Sequence, residues 1–325
     1  MTAHSPLAIE ATGLVKSFGA TRAVEGVDLA VRAGSVYGVL GPNGAGKTTT
    51  IRMLATLIRP DAGSARVLGH DIVEEADAVR AAVSLTGQLA SVDEDLTGRE
   101  NLIMLGRLLG LRRPAARDRA AELLDAFGLT EGSGRLVKHY SGGMRRRLDI
   151  AASIVVTPEL MFLDEPTTGL DPRSRNQVWG IVRALVAEGT TILLCTQYLE
   201  EADQLADRIT VFDHGLVVAD GRSDELKRRV GGQTLQVRPS SLGDLDTVDR
   251  ILGELTGFKP ARNNDTGLLT VPASDPILLS TLVRKLDDAG IVADELALRL
   301  PSLDEVFLAL TGKHETEPQP ERSLA

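Results

Sequence analysis

A glycine-rich turn between an apolar strand and an amphipathic helix constrains this chain more than any other feature of its sequence. The run Val36–Leu40 is apolar and predicts a buried strand, while Thr48–Leu57 carries helical periodicity. Between them, Gly41–Thr48 reads Gly-Pro-Asn-Gly-Ala-Gly-Lys-Thr and fits the spacing G-x-x-x-x-G-K-[ST]. A strand, a glycine-rich loop and a helix in this order predict an α/β fold with a phosphate-binding loop.

This loop has the chemistry of an anion site. Its glycines let successive backbone N–H groups form a nest for phosphate oxygens, and the next helix directs its N-terminal dipole at the same charge. Lys47 can reach the β- and γ-phosphates of a nucleotide, and the Thr48 hydroxyl can bind Mg²⁺. An ordinary glycine-rich turn is the alternative, but the flanking strand and helix favour nucleotide binding. The residues assigned to ATP are Gly41, Pro42, Asn43, Gly44, Ala45, Gly46, Lys47, Thr48 and Thr49.

A second predicted strand ends in two carboxylates. Leu160–Leu163 is apolar and is followed by Asp164 and Glu165. Because ligands bind at the carboxyl ends of parallel strands, Asp164 is placed to hold Mg²⁺ through water. Glu165 is then the base or positioning group for the attacking water. Acidic strand ends are common, so this pattern gains its weight from the phosphate-binding loop beside it.

A second helix begins with a serine and two glycines. Ser141, Gly142 and Gly143 precede the helical stretch Met144–Val156. A hydroxyl, backbone N–H groups and a helix dipole together make another anion site. One chain therefore carries two candidate phosphate-binding helix N-termini.

These motifs, in this order, resemble those of the ATP-binding cassette (ABC) family. In that family two cassettes pair head to tail, and ATP lies between the phosphate-binding loop of one and the signature serine of the other. The resemblance implies ATP and Mg²⁺ as cofactors and a dimer of this chain with itself. It also implies an integral-membrane transporter subunit as partner, which would hold the chain at the cytoplasmic face of the cell membrane.

The resemblance assigns four further residues. Phe18 falls where the family places an aromatic ring on adenine, with a core phenylalanine as the alternative. Gln88 matches a glutamine that touches Mg²⁺ and water, and Asp171 matches an acidic loop that contacts the opposite cassette. Gln197 replaces the family's switch histidine, where its amide can still donate to a phosphate oxygen; a cap on the preceding strand is the alternative.

Longer segments are similar to one branch of this family, the ATPase subunits of daunorubicin/doxorubicin-type drug exporters. They are Tyr140–Ala151, Pro166–Arg175 and Pro301–Gly312, together with Gln197. This similarity implies ATP-driven efflux of an antibiotic. Export of a lipid or polysaccharide, import, and a non-transport ATPase remain as alternatives, although one unbroken cassette argues against the last.

The alternation of strands and helices predicts a mostly parallel sheet covered on both faces. We expect a P-loop ATPase cassette over residues 1–230, with an antiparallel β subdomain and a helical subdomain at about 90–156. A small α+β domain is expected over residues 231–312, and a disordered tail over 313–325.

Composition limits the classes of partner and of fold that this chain can have. A formal net charge of −9 argues against a nucleic-acid partner bound through phosphate neutralisation. No apolar run approaches the ~18 residues of a membrane span, and the N-terminus lacks the features of a signal peptide. The single cysteine, Cys195, lies in an apolar stretch and excludes a disulfide framework. It fits a buried strand residue better than a reactive thiol.

Overall fold

The computed structural model describes residues 7–87, 92–230, 232–263, 266–273, 275 and 277–311. The chain divides into two compact units, residues 1–222 and 223–325. This division precedes the helix Ser223–Val230, whereas the sequence placed its boundary after that helix. The predicted tail, residues 313–325, lies outside the described residues.

The first unit combines two sheets with helices. Its strands are β1 (Leu7–Phe18), β2 (Thr21–Arg32), β3 (Val36–Leu40), β4 (Ala62–Val67), β5 (His70–Asp71), β6 (Val83–Thr86), β7 (Leu160–Asp164), β8 (Thr191–Thr196), β9 (Arg208–Asp213) and β10 (Leu216–Gly221). Its α-helices are α1 (Lys47–Leu54), α2 (Ala76–Ala82), α3 (Gly98–Leu108), α4 (Arg113–Ala126), α5 (Gly142–Ser153), α6 (Pro172–Ala187) and α7 (Leu199–Leu205).

The larger sheet is mostly parallel, with strand order β10-β9-β3-β8-β7-β6. Only the β9–β10 pair is antiparallel. Every residue of β3, β7 and β8 is buried, as expected for strands covered on both faces. Along β7, Leu160 and Phe162 face one core while Met161 and Leu163 face another. The predicted parallel sheet with two covered faces is confirmed.

The smaller sheet of this unit is antiparallel, with strand order β2-β1-β4-β5. Register shifts interrupt the pairing of β1 with β2, including one between Ala11 and Leu14. Such bulges bend a strand without ending it. As a result β1 continues to Phe18, which places that ring beside the glycine-rich loop.

Three consecutive α-helices, α3, α4 and α5, follow β6 and precede β7 in the chain, and they form the helical part of this unit. α3 begins with a capping box, in which Thr97 accepts from the Glu100 N–H and Glu100 accepts from the Thr97 N–H. α4 has a proline in its first turn, and α5 has Ser141 as its N-cap. Local capping therefore fixes where each of these helices begins.

The second unit is built around one antiparallel sheet. Its elements are α8 (Ser223–Val230), β11 (Thr234–Pro239), α9 (Leu245–Thr256), β12 (Ala261–Asn263), β13 (Leu268–Pro272), α10 (Ile277–Asp288), β14 (Ala293–Arg299) and α11 (Leu303–Thr311). The strand order β12-β13-β11-β14 with helices after β11 and β13 is the split βαβ arrangement of ferredoxin-like domains. α11 packs on α8, where Val306 and Leu226 are buried. None of the helices in the described ranges combines the length and hydropathy that a bilayer crossing requires.

Candidate active site

The predicted phosphate-binding loop connects β3 to α1 through two tightly packed glycines. Gly46 is the N-cap of α1 and has a φ of 100°, in the region that favours glycine. A Cβ on Gly46 would lie 2.4 Å from the Ala23 carbonyl oxygen, and one on Gly41 would lie 2.5 Å from that of Phe212. The loop therefore needs glycine at both positions to pass between β2 and β9.

Lys47 opens α1 with its ammonium group turned back into the loop. Its Nζ donates to the carbonyl oxygens of Gly41 at 2.7 Å and Pro42 at 2.9 Å. The side chain is almost fully buried, and burial lowers its pKa, while the carboxylates of Asp164 and Glu165 favour its charged form. A buried cation at a helix N-terminus is suited to bind the terminal phosphates of a nucleotide.

Asp164 lies at the carboxyl end of β7 and contacts the first turn of α1. The Thr48 hydroxyl donates to its carboxylate, at 3.0 Å from Oδ2 and 3.2 Å from Oδ1. Burial raises the pKa of Asp164, an effect that the Thr48 hydrogen bond and Lys47 oppose. A hydroxyl and a carboxylate in contact are the oxygen donors that Mg²⁺ prefers, so these two residues fit that ion.

Glu165 has an unusual backbone conformation. Its φ is 50°, in the left-handed region that residues other than glycine rarely adopt. Its N–H donates to the Cys195 carbonyl oxygen at 2.9 Å, and the Thr168 hydroxyl donates to its Oε2 at 3.1 Å. Glu165 at this turn also lines a cavity next to the phosphate-binding loop.

That cavity, of about 330 Å³, brings together residues from distant parts of the sequence. Phe18 at the end of β1 and Glu165 at the end of β7 lie on its wall with the loop itself. The Phe18 ring is 53% exposed, unlike a core phenylalanine. The lining residues are Phe18, Ala23, Asn43, Gly44, Gly46, Lys47, Thr48, Thr49 and Glu165.

The N-terminus of α5 is outside this cavity and faces solvent. Ser141 and Gly142 are exposed, and the Ser141 hydroxyl accepts from the Met144 N–H at 3.2 Å. Gly143 is buried against α6, where a Cβ would lie 2.4 Å from the Ser174 Oγ. The start of α5 is therefore open on one side and closely packed on the other.

Asp171 is the N-cap of α6. Its carboxylate accepts from the Ser174 N–H at 3.0 Å and from the Ser174 hydroxyl at 2.6 Å, and these hydrogen bonds lower its pKa. The first turns of α5 and α6 thus meet at Ser174.

Comparison with known proteins identifies the family to which this geometry belongs. Residues 24–168 match the ABC transporter family. The chain is 58% identical over 312 residues to the daunorubicin/doxorubicin resistance ATP-binding protein DrrA of Streptomyces peucetius, covering 96% of this chain and 94% of that one. It is 48% identical over 313 residues to the doxorubicin resistance ATP-binding protein DrrA of Mycobacterium tuberculosis, covering 95% of each. The chain belongs to the ABC transporter ATP-binding proteins.

Solved structures agree with this assignment. A structure described as the ATP-binding subunit of an ABC transporter superposes with a TM-score of 0.61 at 28% identity, covering 68% of this chain and 92% of that one. The chain is therefore a nucleotide-binding ABC ATPase, as its motifs predicted.

Several predicted residues do not line the cavity: Gly41, Pro42, Ala45 and Asp164 near the loop, and Ser141, Gly142, Gly143 and Asp171 at the starts of α5 and α6. Gln88 lies outside the described residues. Gln197 directly follows β8 and is half-buried, but it does not line the cavity. The strand-end cap comes from Thr196, whose Oγ1 accepts from the Tyr198 N–H at 2.9 Å.

Arg146 on α5 is a residue of this ATPase site whose role the sequence did not reveal. Its guanidinium donates to the carbonyl oxygens of Gly87 and Pro166, both at 2.8 Å, and of Asp164 at 3.2 Å. In the sequence it is the middle of three consecutive arginines, and local pattern alone does not separate it from its neighbours.

Proposed function

We propose that this ABC ATPase hydrolyses Mg·ATP to drive efflux of an amphipathic drug through a separate membrane-spanning subunit. The 58% identity over 96% of the chain to a protein named for daunorubicin/doxorubicin resistance carries this proposal. The chain would act at the cytoplasmic face of the cell membrane, held there by its membrane partner.

The cavity supplies the groups for nucleotide binding. Backbone N–H groups of the loop and the Lys47 ammonium would bind the β- and γ-phosphates, and the half-exposed Phe18 ring would stack on adenine. Lys47 would exchange its hydrogen bonds to the carbonyl oxygens of Gly41 and Pro42 for hydrogen bonds to phosphate oxygens.

Mg²⁺ enters as part of the substrate. The Thr48 hydroxyl and the Asp164 carboxylate would hold it, with Gln88 as a further ligand. When bound, the ion neutralises charge that develops on the phosphates.

Glu165 would orient and deprotonate the attacking water. Glu165 lines the cavity and Thr168 donates to its Oε2, so its Oε1 would accept from water. Gln197 would sense the γ-phosphate through its amide N–H, after a shift of the half-buried side chain toward the cavity.

A second copy of the chain would complete each site. Ser141, Gly142 and Gly143 offer a hydroxyl and N–H groups, and the first two are exposed and lie outside their own chain's cavity. In a head-to-tail dimer they would close over the γ-phosphate bound by the other copy, with Asp171 at the contact. Closing and reopening this dimer would move the membrane subunit.

A transport assay tests the proposal. Cells that lack the gene but keep its membrane-spanning partner are complemented with the wild-type chain or Lys47→Ala, and retention of fluorescent daunorubicin is followed. Wild type should lower retention, and Lys47→Ala should not. Equal retention in both strains, with both proteins present at the membrane, would rule out daunorubicin as a substrate.

Export of a lipid or polysaccharide is the second candidate. The chain is 38% identical over 303 residues to the Nod factor export ATP-binding protein I of Ralstonia nicotianae. The surface glycolipids of the strains complemented with wild type and with Lys47→Ala decide between the candidates. Only lipid or polysaccharide export predicts that Lys47→Ala depletes them.

A further inference from the structure

Three consecutive arginines on α5 have three different sets of partners. Arg145 pairs with Glu94 at 2.6 Å, and Arg147 donates to the Phe127 carbonyl oxygen at 2.8 Å. Both of these contacts stay within the helical part of the first unit. Arg146 alone reaches the end of β7, where Glu165 lies.

The guanidinium of Arg146 donates to the carbonyl oxygens of the two residues that flank Glu165. Nη2 donates to the carbonyl oxygen of Asp164 and Nε to that of Pro166, while Nη1 donates to that of Gly87. A planar fork with several donors can hold three carbonyl groups at once, which the single ammonium of lysine cannot do in the same geometry.

The backbone between these carbonyls requires support. Glu165 has a φ of 50°, and a conformation of this kind persists only where surrounding contacts enforce it. Its N–H donates to the Cys195 carbonyl oxygen, and Arg146 donates to the carbonyl oxygens of Asp164 and Pro166 on either side. The arginine thus contributes to the restraint on the direction of the Glu165 side chain.

Negatively charged groups oppose the effect of burial on the guanidinium of Arg146. Burial lowers the pKa of its guanidinium, and the negative charges of Asp149, Glu201 and Asp164 oppose that effect. Asp149 and Glu201 are themselves almost inaccessible to solvent. Because the donor is charged, its hydrogen bonds to the three carbonyl oxygens are stronger than those between neutral groups.

We propose that Arg146 is a positioning residue, which holds the turn at Glu165 so that the carboxylate faces the attacking water. The proposal rests on the role of Glu165 given above. Arg146 does not line the cavity, so in this proposal it acts on Glu165 through the backbone that it contacts.

The test compares two Arg→Lys variants of the full-length chain. In Arg146→Lys we expect kcat for ATP hydrolysis to fall about 10- to 100-fold, with the Kd for ATP within about threefold of wild type. Arg119→Lys is the matched control, because Arg119 donates to the carbonyl oxygens of Ile154 and Val155 at the other end of α5. It should keep wild-type kcat even if its unfolding temperature falls.

A double variant separates positioning from a general structural effect. If Arg146 acts through Glu165, adding Arg146→Lys to Glu165→Gln should change the residual single-turnover rate by less than about twofold, since coupled residues are not additive. A further fall equal to that in the single variant would overturn the proposal. So would an unchanged kcat in Arg146→Lys, or an equal loss of kcat in Arg119→Lys.

The two proposals fail in different ways. If Glu165→Gln keeps wild-type turnover, the proposed role of Glu165 is wrong and the positioning role falls with it. If Glu165→Gln is inactive while Arg146→Lys keeps the wild-type kcat, only the positioning role is wrong.

Discussion

The N-termini of α1 and α5 offer similar chemistry in different surroundings. Both begin at glycine-rich turns whose free N–H groups attract anions. At α1, the buried Lys47 shares a cavity with Glu165. At α5, Ser141 is exposed and does not line that cavity.

In the proposed dimer, the α1 terminus would supply most groups of one nucleotide site, and the α5 terminus would supply donors to the other. The α1 terminus has a cation, a metal-binding pair and a candidate base within its own chain. The α5 terminus has only hydrogen-bond donors, so the cation, the metal-binding pair and the base must come from another chain. Substitutions at the first terminus should therefore affect binding or chemistry in the isolated chain, and those at the second only events between two chains.

The largest effect is expected from Glu165→Gln. The amide keeps the shape of the side chain but cannot accept a proton, so turnover should fall by about two orders of magnitude or more. ATP affinity, measured by equilibrium binding, should stay at the wild-type value. Glu188→Gln, at the exposed C-cap of α6, is the control. If ATP affinity fell as much as turnover, Glu165 would contribute to binding and not only to the chemical step.

Lys47→Ala should instead weaken binding itself. Loss of a charged hydrogen bond to phosphate costs about 1.5–3 kcal/mol, so the Kd for ATP should rise about 10- to 150-fold. Titration with a fluorescent ATP analogue measures this in the monomer. An unchanged Kd would contradict the comparison of the two termini, because Lys47 would then not contribute to ATP binding in the isolated chain.

Gln197 offers a test of the γ-phosphate sensor. If its contact tightens only in the transition state, Gln197→Ala should slow turnover about 10- to 150-fold. Gln197→His should stay active and become sensitive to pH between about 6 and 7.5, where imidazole titrates and glutamine does not. Steady-state rates across pH decide, and wild-type activity in Gln197→Ala would leave the residue without a role at the site.

Ser141→Ala tests the second terminus directly. It should lower turnover about tenfold while leaving ATP binding by the monomer unchanged. The substitution also removes a helix cap worth about 1 kcal/mol. Thr97→Ala removes the corresponding cap of α3 and is the control for that loss. In the wild type, specific activity should rise with protein concentration; a flat profile from a demonstrated monomer would contradict the composite site.

The smallest effect on nucleotide binding is expected from truncation after Arg222. Both helix termini lie in the first unit, so the Kd for ATP should stay within about twofold of that of the full chain. Dimerisation or transport should weaken. A truncated chain that pairs and transports as well as the full chain would show the second unit to be dispensable for both.

Local sequence was sufficient for the parts of the site that depend on local geometry. The loop before Lys47 and the cap at Ser141 are set by residues within a few positions, so their spacing predicted them. The extent of β1 does not follow from local sequence, because bulges near Leu14 carry the strand through positions that break a simple alternating pattern.

Contacts between distant segments could not be obtained in the same way. Arg146 meets Gly87 and Pro166 only after α5 packs against the sheet. In the second unit, the strands and helices were expected, but the order β12-β13-β11-β14 depends on pairing between segments far apart in sequence.

The contact of Gly143 with Ser174 has a consequence for genetics. Even one added methyl group at position 143 would collide with the Ser174 hydroxyl, which is bound to Asp171. The phenotype of an inactive Gly143 substitution is therefore ambiguous, since the change affects both the start of α5 and the Asp171 cap of α6. Selection for second-site suppressors can resolve it: repair by a smaller residue at 174 would trace the defect to crowding and not to a lost phosphate contact.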